Sequence, residues 1–386
     1  MDPWVERRAA RRAEVKKRRR LAALLLAVAL AGTGALVWTS LGDGSSSPAS
    51  ETTATATGPT STVARSPKTP LTFQWVGDTV LGSAYGLPPN GGRGSLAGVA
   101  KSLRLGDLTW GNLEETLSTG GTSKCAGSTS SACFAFQAPP SYARLLSAAG
   151  FDLMNLANNH ANDFGPSGLR QTHAALKRAR IAWTGSPGQI TILRREGVRV
   201  AFVGFAPYPW SSSLTNVSAA RRLVRKAAAR ADLVLVAIHA GAEGADALHV
   251  PHGTEYSFGE NRGDSRRFTH AVIDAGADLV VGSGPHVIRG VEWYHGRLIV
   301  YSTGNFAGYH NFGLGGTLSL SAIVRVTLRP DGSFVKGRWL SVRLVDPGLP
   351  RLDSSKASLH LVGLLSKQDF GGRGARFTAD GRIRPG

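Results

Sequence analysis

The stretch Asp152-Leu153-Met154-Asn155-Leu156-Ala157-Asn158-Asn159-His160-Ala161-Asn162-Asp163 changes character halfway along. Its first half is mostly apolar and strand-like; its second half is crowded with Asn, His and Asp. Polar groups leaving a buried strand need partners, because burying them unpaired is costly. The same change recurs elsewhere. Candidate strand Leu71–Val76 runs into Gly77-Asp78, Leu233–Ile238 into His239-Ala240-Gly241-Ala242-Glu243, and Ala277–Val281 into Gly282-Ser283-Gly284-Pro285-His286. A short run, Asp107–Trp110, leads to Asn112-Leu113-Glu114, where Glu114 is placed to supply a bridging carboxylate.

Two more strands are expected at Val198–Phe205 and Leu298–Tyr301, and helix-like segments at Pro139–Ala149, Gly168–Ala179, Ser218–Ala231 and Ser265–Ala275. This alternation is the pattern of an α/β sheet protein. Thr317–Leu328 and Lys336–Leu344 read as a hairpin around Pro330-Asp331-Gly332. A short helix over Ala357–Ser366 precedes a Gly/Arg-rich tail. With no internal repeat, one large α/β domain accounts for the chain from Leu71 onward.

In open α/β folds the C-terminal ends of the strands converge on one ligand-binding crevice. Asp, Asn and His delivered there from separate strands are hard-to-borderline ligands for Zn, Mn, Fe or Mg and suit metal-assisted hydrolysis. Singly these residues say little. A Gly-Asp pair is usually a turn, a lone Glu is usually solvated, and His239 after five apolar residues could be a satisfied core histidine. Their coincidence at four strand ends points to a site. Other chemistries lack support: neither a G-x-x-x-x-G-K-[ST] loop nor a G-x-S-x-G elbow occurs.

The 386 residues carry 45 Lys+Arg against 26 Asp+Glu, a formal net charge of +19, with only two cysteines. Two cysteines exclude a cysteine-rich zinc or iron–sulfur protein, and the charge favours a polyanionic or membrane partner. Nine basic and three acidic residues fall within residues 1–20, a net +6, which leaves +13 for the rest. An uncharged, mostly apolar run, Leu21–Trp38, follows. It fits a single-pass transmembrane signal-anchor with the basic tail in the cytoplasm. It also fits a cleaved signal peptide, with small residues at Ala29-Leu30-Ala31. Residues 39–70, rich in Ser, Thr, Ala, Pro and Gly, read as a flexible tether. The bulk of the chain is therefore expected outside the cell membrane. Export permits a disulfide between Cys125 and Cys133 across a short loop and, with no recognition motif present, argues against a nucleic-acid partner.

These motifs, in this order, resemble the poly-gamma-glutamate capsule synthesis protein CapA family, an offshoot of the calcineurin-like metallophosphatase superfamily. The matching runs are Phe73–Asp78, Trp110–Glu114, Asn155–Gly165, His239–Glu243, Gly276–Val287 and Tyr301–Phe306, so the likeness covers about residues 71–345 and leaves 346–386 as a C-terminal extension. The resemblance implies a four-layer α/β/β/α sandwich behind the N-terminal transmembrane helix. It also implies one or two divalent metal ions held by Asp78, Glu114, Asn159, His239 and His286. It makes His160 the acid/base group, with Asp163 and Glu243 beside it as catalytic residues, and gives Asn158 and Asn305 second-shell or substrate contacts. Two positions depart from the superfamily pattern: Val80 stands where its first motif has His, and Gly284 where its last motif has the first of two histidines. The expected function is a membrane-anchored metal-dependent hydrolase or transferase acting on an anionic envelope polymer, within an envelope biosynthesis complex. A non-catalytic polymer-binding export or scaffold factor, and a conventional phosphodiesterase, are the alternatives.

Overall fold

Strands Leu233–His239 and Val198–Ala206 are almost continuously apolar, and their burial explains why. Leu233, Leu235 and Ala237 face one core, while Val234, Val236 and Ile238 face another. Val200 and Phe202 alternate with Ala201 and Val203 in the same way. A period-2 strand covered on both sides has no polar face.

The computed structural model describes residues 69–83, 85–130 and 133–386. The basic tail, the Leu21–Trp38 run and nearly all of the tether lie outside those residues. Among the described residues no helix is long and apolar enough to cross a membrane.

Two mixed sheets face each other. The first runs, edge to edge, Leu349–Leu352, Phe334–Val345, Leu320–Leu328, Leu71–Val80, Leu108–Leu113, Leu153–Asn155, Ala182–Thr184, with Asn305–Gly308 also paired to Leu71–Val80. The second runs Val291–Tyr294, Arg297–Val300, Leu279–Ser283, Leu233–His239, Val198–Ala206, Thr191–Arg195, with Ser212–Ser213 beside Val198–Ala206. Between the sheets lies a core that includes Phe73, Trp75, Trp110, Phe202, Leu235 and Val281. Helices cover both outer faces. Ala97–Leu103, Ala143–Ala149 and Gly165–Arg178 bury Val99, Leu146 and Leu176 on the first sheet. Val217–Arg230 and Ser265–Asp274 bury Val224 and Val272 on the second. The layers therefore alternate helix, sheet, sheet, helix.

The C-terminal residues belong to the same body. Leu349–Leu352 is an edge strand of the first sheet, and helix Ala357–Phe370 seats Leu359 and Val362 in the inter-sheet core. Edge strands Thr191–Arg195 and Val291–Tyr294 were not legible in the sequence, because half-buried edges lack a strong apolar pattern. The expected strand Ala277–Val281 begins and ends two residues later, at Leu279–Ser283. Asp278 precedes it as a turn residue whose carboxylate accepts from Val234 N at 2.9 Å. Cys125 and Cys133 are joined, with Cα atoms 5.7 Å apart.

The parallel strands set direction. Leu71–Val80, Leu108–Leu113 and Leu153–Asn155 run parallel, as do Val198–Ala206, Leu233–His239 and Leu279–Ser283. In each sheet the C-terminal ends therefore share one edge. Trp110 sits where the sheets meet, fully buried, its ring centroid 4.8 Å from Trp75 and 5.0 Å from Phe202, edge-on to both. Replacing it by Ala should cost about 3–5 kcal/mol, as for large aromatic truncations in a packed core. Urea unfolding checks this, and a loss under about 1 kcal/mol would place the sheet contact elsewhere.

Candidate metal centre

Asp78 lies at the end of strand Leu71–Val80, where the pairing slips on both sides: after Val76 against Leu108–Leu113, and after Asp78 against Asn305–Gly308. Such irregularities re-aim a side chain at a strand end. Gly77 is required there, because a Cβ would collide with the carbonyl of Gly304, whose oxygen accepts from Asp78 N. Glu114 follows the neighbouring strand directly, and Asn159 comes from the loop after Leu153–Asn155. From the second sheet, His239 ends its strand and His286 lies three residues past Ser283.

These residues meet. One ligand atom each from Asp78, Glu114 and His286 lies within 4.8 Å of the others. His239 Nε2 is 3.5 Å from Glu114 Oε1, and His286 Nδ1 is 3.4 Å from Asp78 Oδ2. Asn112 is the hub beneath them. Its Nδ2 donates to Asp78 Oδ1 at 2.8 Å and lies 3.3 Å from His239 Nδ1; its Oδ1 accepts from Asn155 and Asn158. His286 donates from Nδ1 to Asn305 Oδ1 at 2.8 Å, and the other ring nitrogen faces Glu114 and Glu243.

The donor set fits a divalent cation on an observation independent of any likeness. Both Glu114 oxygens, His239 Nε2 and Asn159 Oδ1 are buried and find no hydrogen-bond partner among the described residues. Buried polar atoms are normally satisfied; Glu114 Oε1 and His239 Nε2, unsatisfied and 3.5 Å apart, suit a shared ion. The electrostatics agree. Burial pushes the Glu114 carboxyl well up, and the nearby Asp78 charge pushes it further. At Asp78 burial acts in the same sense, but the hydrogen bond and charge of His286 outweigh it and hold the carboxyl at about 2. Burial disfavours the His286 imidazolium, yet Glu114, Asp78 and Glu243 raise it to about 10. His239 is pushed well down by burial and by Arg262, which keeps it neutral and able to ligate.

His160 stands beside this centre. Its Nδ1 is 2.7 Å from Asp163 Oδ2, and its ring packs against Phe136 at 4.4 Å between centroids. Burial lowers its pKa despite Asp163. Asp163 is itself clamped by Lys124 Nζ at 2.7 Å and by the Phe136 amide at 2.7 Å. Asp163 therefore orients His160 and faces no open space of its own. Glu243 is likewise tied down, by an ion pair to Arg262 at 2.7 Å. Asn158 shapes the loop, donating to Leu113 O at 2.8 Å and accepting from His160 N at 3.0 Å.

Neither departure from the superfamily pattern adds a ligand. Val80 is buried and its side chain carries no donor atom. Gly284 has φ +113°, and a Cβ there would lie 3.1 Å from Arg262 Nη2 and 3.2 Å from His239 Cδ2. The guanidinium of Arg262, fully buried, fills the space a side chain at 284 would take. Asn112, Lys124, Arg262 and Ser283 escaped the sequence reading. Asn112, two before Glu114, and Ser283, which ends its strand 3.2 Å from His239 Nδ1, lay in the strand-end runs; Lys124 and Arg262 come from segments with no such signal.

Three comparisons with known proteins bear on this centre. Residues 72–309 match the family described as "Bacterial capsule synthesis protein PGA_cap". The chain is 32% identical over 211 residues to the capsule biosynthesis protein CapA of Bacillus anthracis, covering 48% of this chain and 46% of that one. It is 27% identical over 241 residues to the PGA biosynthesis protein CapA of Bacillus subtilis, covering 59% and 60%. It is 32% identical over 219 residues to a probable polyglutamine synthesis accessory protein of Mycobacterium tuberculosis, covering 53% and 57%. The matches thus span roughly half to three fifths of these relatives. Among solved structures, a 5'-nucleotidase precursor from Thermus thermophilus superposes with a TM-score of 0.43 at 14% identity, covering 76% of this chain and 58% of that one. The family match takes in every residue of the centre, from Asp78 to His286, and the chain belongs to the bacterial capsule synthesis family of the CapA proteins.

Proposed function

We propose that this protein is a membrane-anchored, extracytoplasmic CapA-like factor that makes or processes an anionic envelope polymer of the poly-gamma-glutamate type, acting as a metal-dependent hydrolase or transferase. The observation that carries this reading is the set of buried, unpartnered ligand atoms on Glu114 and His239 beside Asp78 and His286. The family match and the names of the Bacillus relatives support the polymer class. The apolar run after the basic tail supports the location.

Asp78, Glu114, Asn159, His239 and His286 would hold a divalent ion, with Asn112 and Asn305 fixing the orientation of their neighbours. A bound ion supplies positive charge that polarises a carbonyl or phosphoryl oxygen. The chain supplies the proton transfer. Asp163 engages His160 Nδ1, so Nε2 is the atom that takes a proton from the attacking group or returns one to the leaving group. Burial keeps this ring neutral near neutral pH and ready to accept. The Arg262 guanidinium balances Glu243 and adds a fixed positive charge close to His239.

Elemental analysis after gel filtration should find divalent metal in the wild type and little in Asp78→Ala or His286→Ala. If the wild type and the Asp78→Ala/His286→Ala double variant shorten or extend poly-gamma-glutamate at the same rate, the catalytic reading fails. Polymer binding that survives chelation, without any turnover, would instead favour the scaffold reading.

His160→Ala should lower turnover by about 10²–10⁴-fold, the usual worth of a positioned acid/base, while the metal content stays at the wild-type level. A parallel loss of metal would make His160 a ligand.

Metal affinity should rise with pH. Without an ion, burial and the Asp78 charge push the Glu114 carboxyl well up, and the surrounding carboxylates raise His286 to about 10. Binding must displace protons from these groups, so acid competes with the ion. Isothermal titration between pH 6 and 9 in buffers of different ionisation enthalpy checks this, and a flat profile with no proton release would contradict it.

A further inference from the structure

Helix Val217–Arg230 reads Val-Ser-Ala-Ala-Arg-Arg-Leu-Val-Arg-Lys-Ala-Ala-Ala-Arg and contains no Asp or Glu. Ala220, Val224 and Ala227 are buried against the second sheet. At about 100° per residue, Arg221, Arg222, Arg225, Lys226 and Arg230 spread over the half of the helix opposite that face, and all five are exposed. A single basic residue in the last turn would be ordinary, since it complements the helix dipole. Five cations along the whole solvent face, with no acid among them, exceed that need and cost mutual repulsion.

The placement of the helix gives this face a direction. Strand Val198–Ala206 runs parallel to Leu233–His239, so Ala206 ends at the same edge of the sheet as His239. The chain then passes Trp210, whose Nε1 donates to Asn158 O at 2.8 Å, and enters the helix at Asn216, which caps Ala219 N. The helix therefore starts at the sheet edge that carries the metal centre and runs back along the sheet for about 20 Å.

We infer that the exposed face of helix Val217–Arg230 is a track for a linear polycarboxylate, holding the stretch of polymer that extends from the metal centre. This rests on the polymer reading above and names the surface that grips the chain. Guanidinium groups pair with carboxylates in bidentate geometry, and four of the five cations are Arg. The apolar residues of the helix are spent on the sheet, so the face offers charge without anything to insert into a bilayer.

The experiment is fluorescence anisotropy of labelled poly-gamma-glutamate with the full chain, at low and at high salt. It compares the wild type with a variant carrying Arg221→Gln, Arg222→Gln, Arg225→Gln, Lys226→Gln and Arg230→Gln, and with one carrying the four Arg→Lys changes. All five side chains are exposed, and circular dichroism confirms folding. At low salt the Gln variant should bind at least about tenfold more weakly, while the Lys variant keeps most of the affinity. The difference should shrink at high salt, where exposed charges are screened. Equal binding by the wild type and the Gln variant overturns the track and leaves the polymer reading intact. Absence of binding by the wild type overturns both. Capture of anionic phospholipid vesicles through these five residues, with poly-gamma-glutamate ignored, makes the face a lipid contact and overturns the track.

Discussion

Two carboxylates, Asp78 and Glu114, are fully buried at the end of adjacent parallel strands, and neighbouring negative charges in a low-dielectric interior cannot both persist without a cation. Much of the surrounding structure answers that constraint. Asp78 keeps its charge by drawing on His286, whereas at Glu114 burial and the Asp78 charge outweigh what His286 and Arg262 offer and push the carboxyl well up. Asn112 places an amide against Asp78 and holds the loop that brings Asn158 and Asn159 alongside. Glu114 Oε1 and His239 Nε2 stand 3.5 Å apart there, both buried and without a hydrogen-bond partner among the described residues.

The centre also depends on the packing of the two sheets. The acids come from the first and the imidazoles from the second, so neither sheet holds a complete donor set. Their registry is fixed by an aromatic cluster, Trp75, Trp110 and Phe202, and by the Trp75 indole N–H, which donates to Gly282 O at 3.2 Å beneath the His286 loop. The deepest part of the core and the chemical centre are thus adjoining parts of one assembly. The C-terminal helix contributes to the same core, which makes the residues after 345 part of the body that supports the centre.

This chain builds the centre with the imidazoles of His239 and His286 and one deeply buried guanidinium. Arg262 occupies the volume above Gly284, pairs with Glu243 and lowers the basicity of His239. A fixed positive charge of this kind acts strongly where solvent is excluded. The cationic helix on the outer layer extends positive charge beyond the centre.

The sequence by itself determined the alternation of strands and helices, the apolar runs of the central strands, and the residues that end those strands. Asp78, Asn159, His239 and His286 were legible because each directly follows, or nearly follows, a strand whose apolar pattern is unmistakable. Such a position has one physical meaning: the C-terminal edge of a parallel sheet. Only the tertiary structure decided which groups are paired. Asp163 and Glu243 look like free acids in the sequence, yet Lys124 and Arg262 pair with them from 39 and 19 residues away. Edge strands such as Thr191–Arg195 were hidden because their stability comes from one neighbour and not from their own apolar pattern. Local sequence fixes where a side chain leaves the backbone; which charge it meets depends on contacts between elements far apart in the chain.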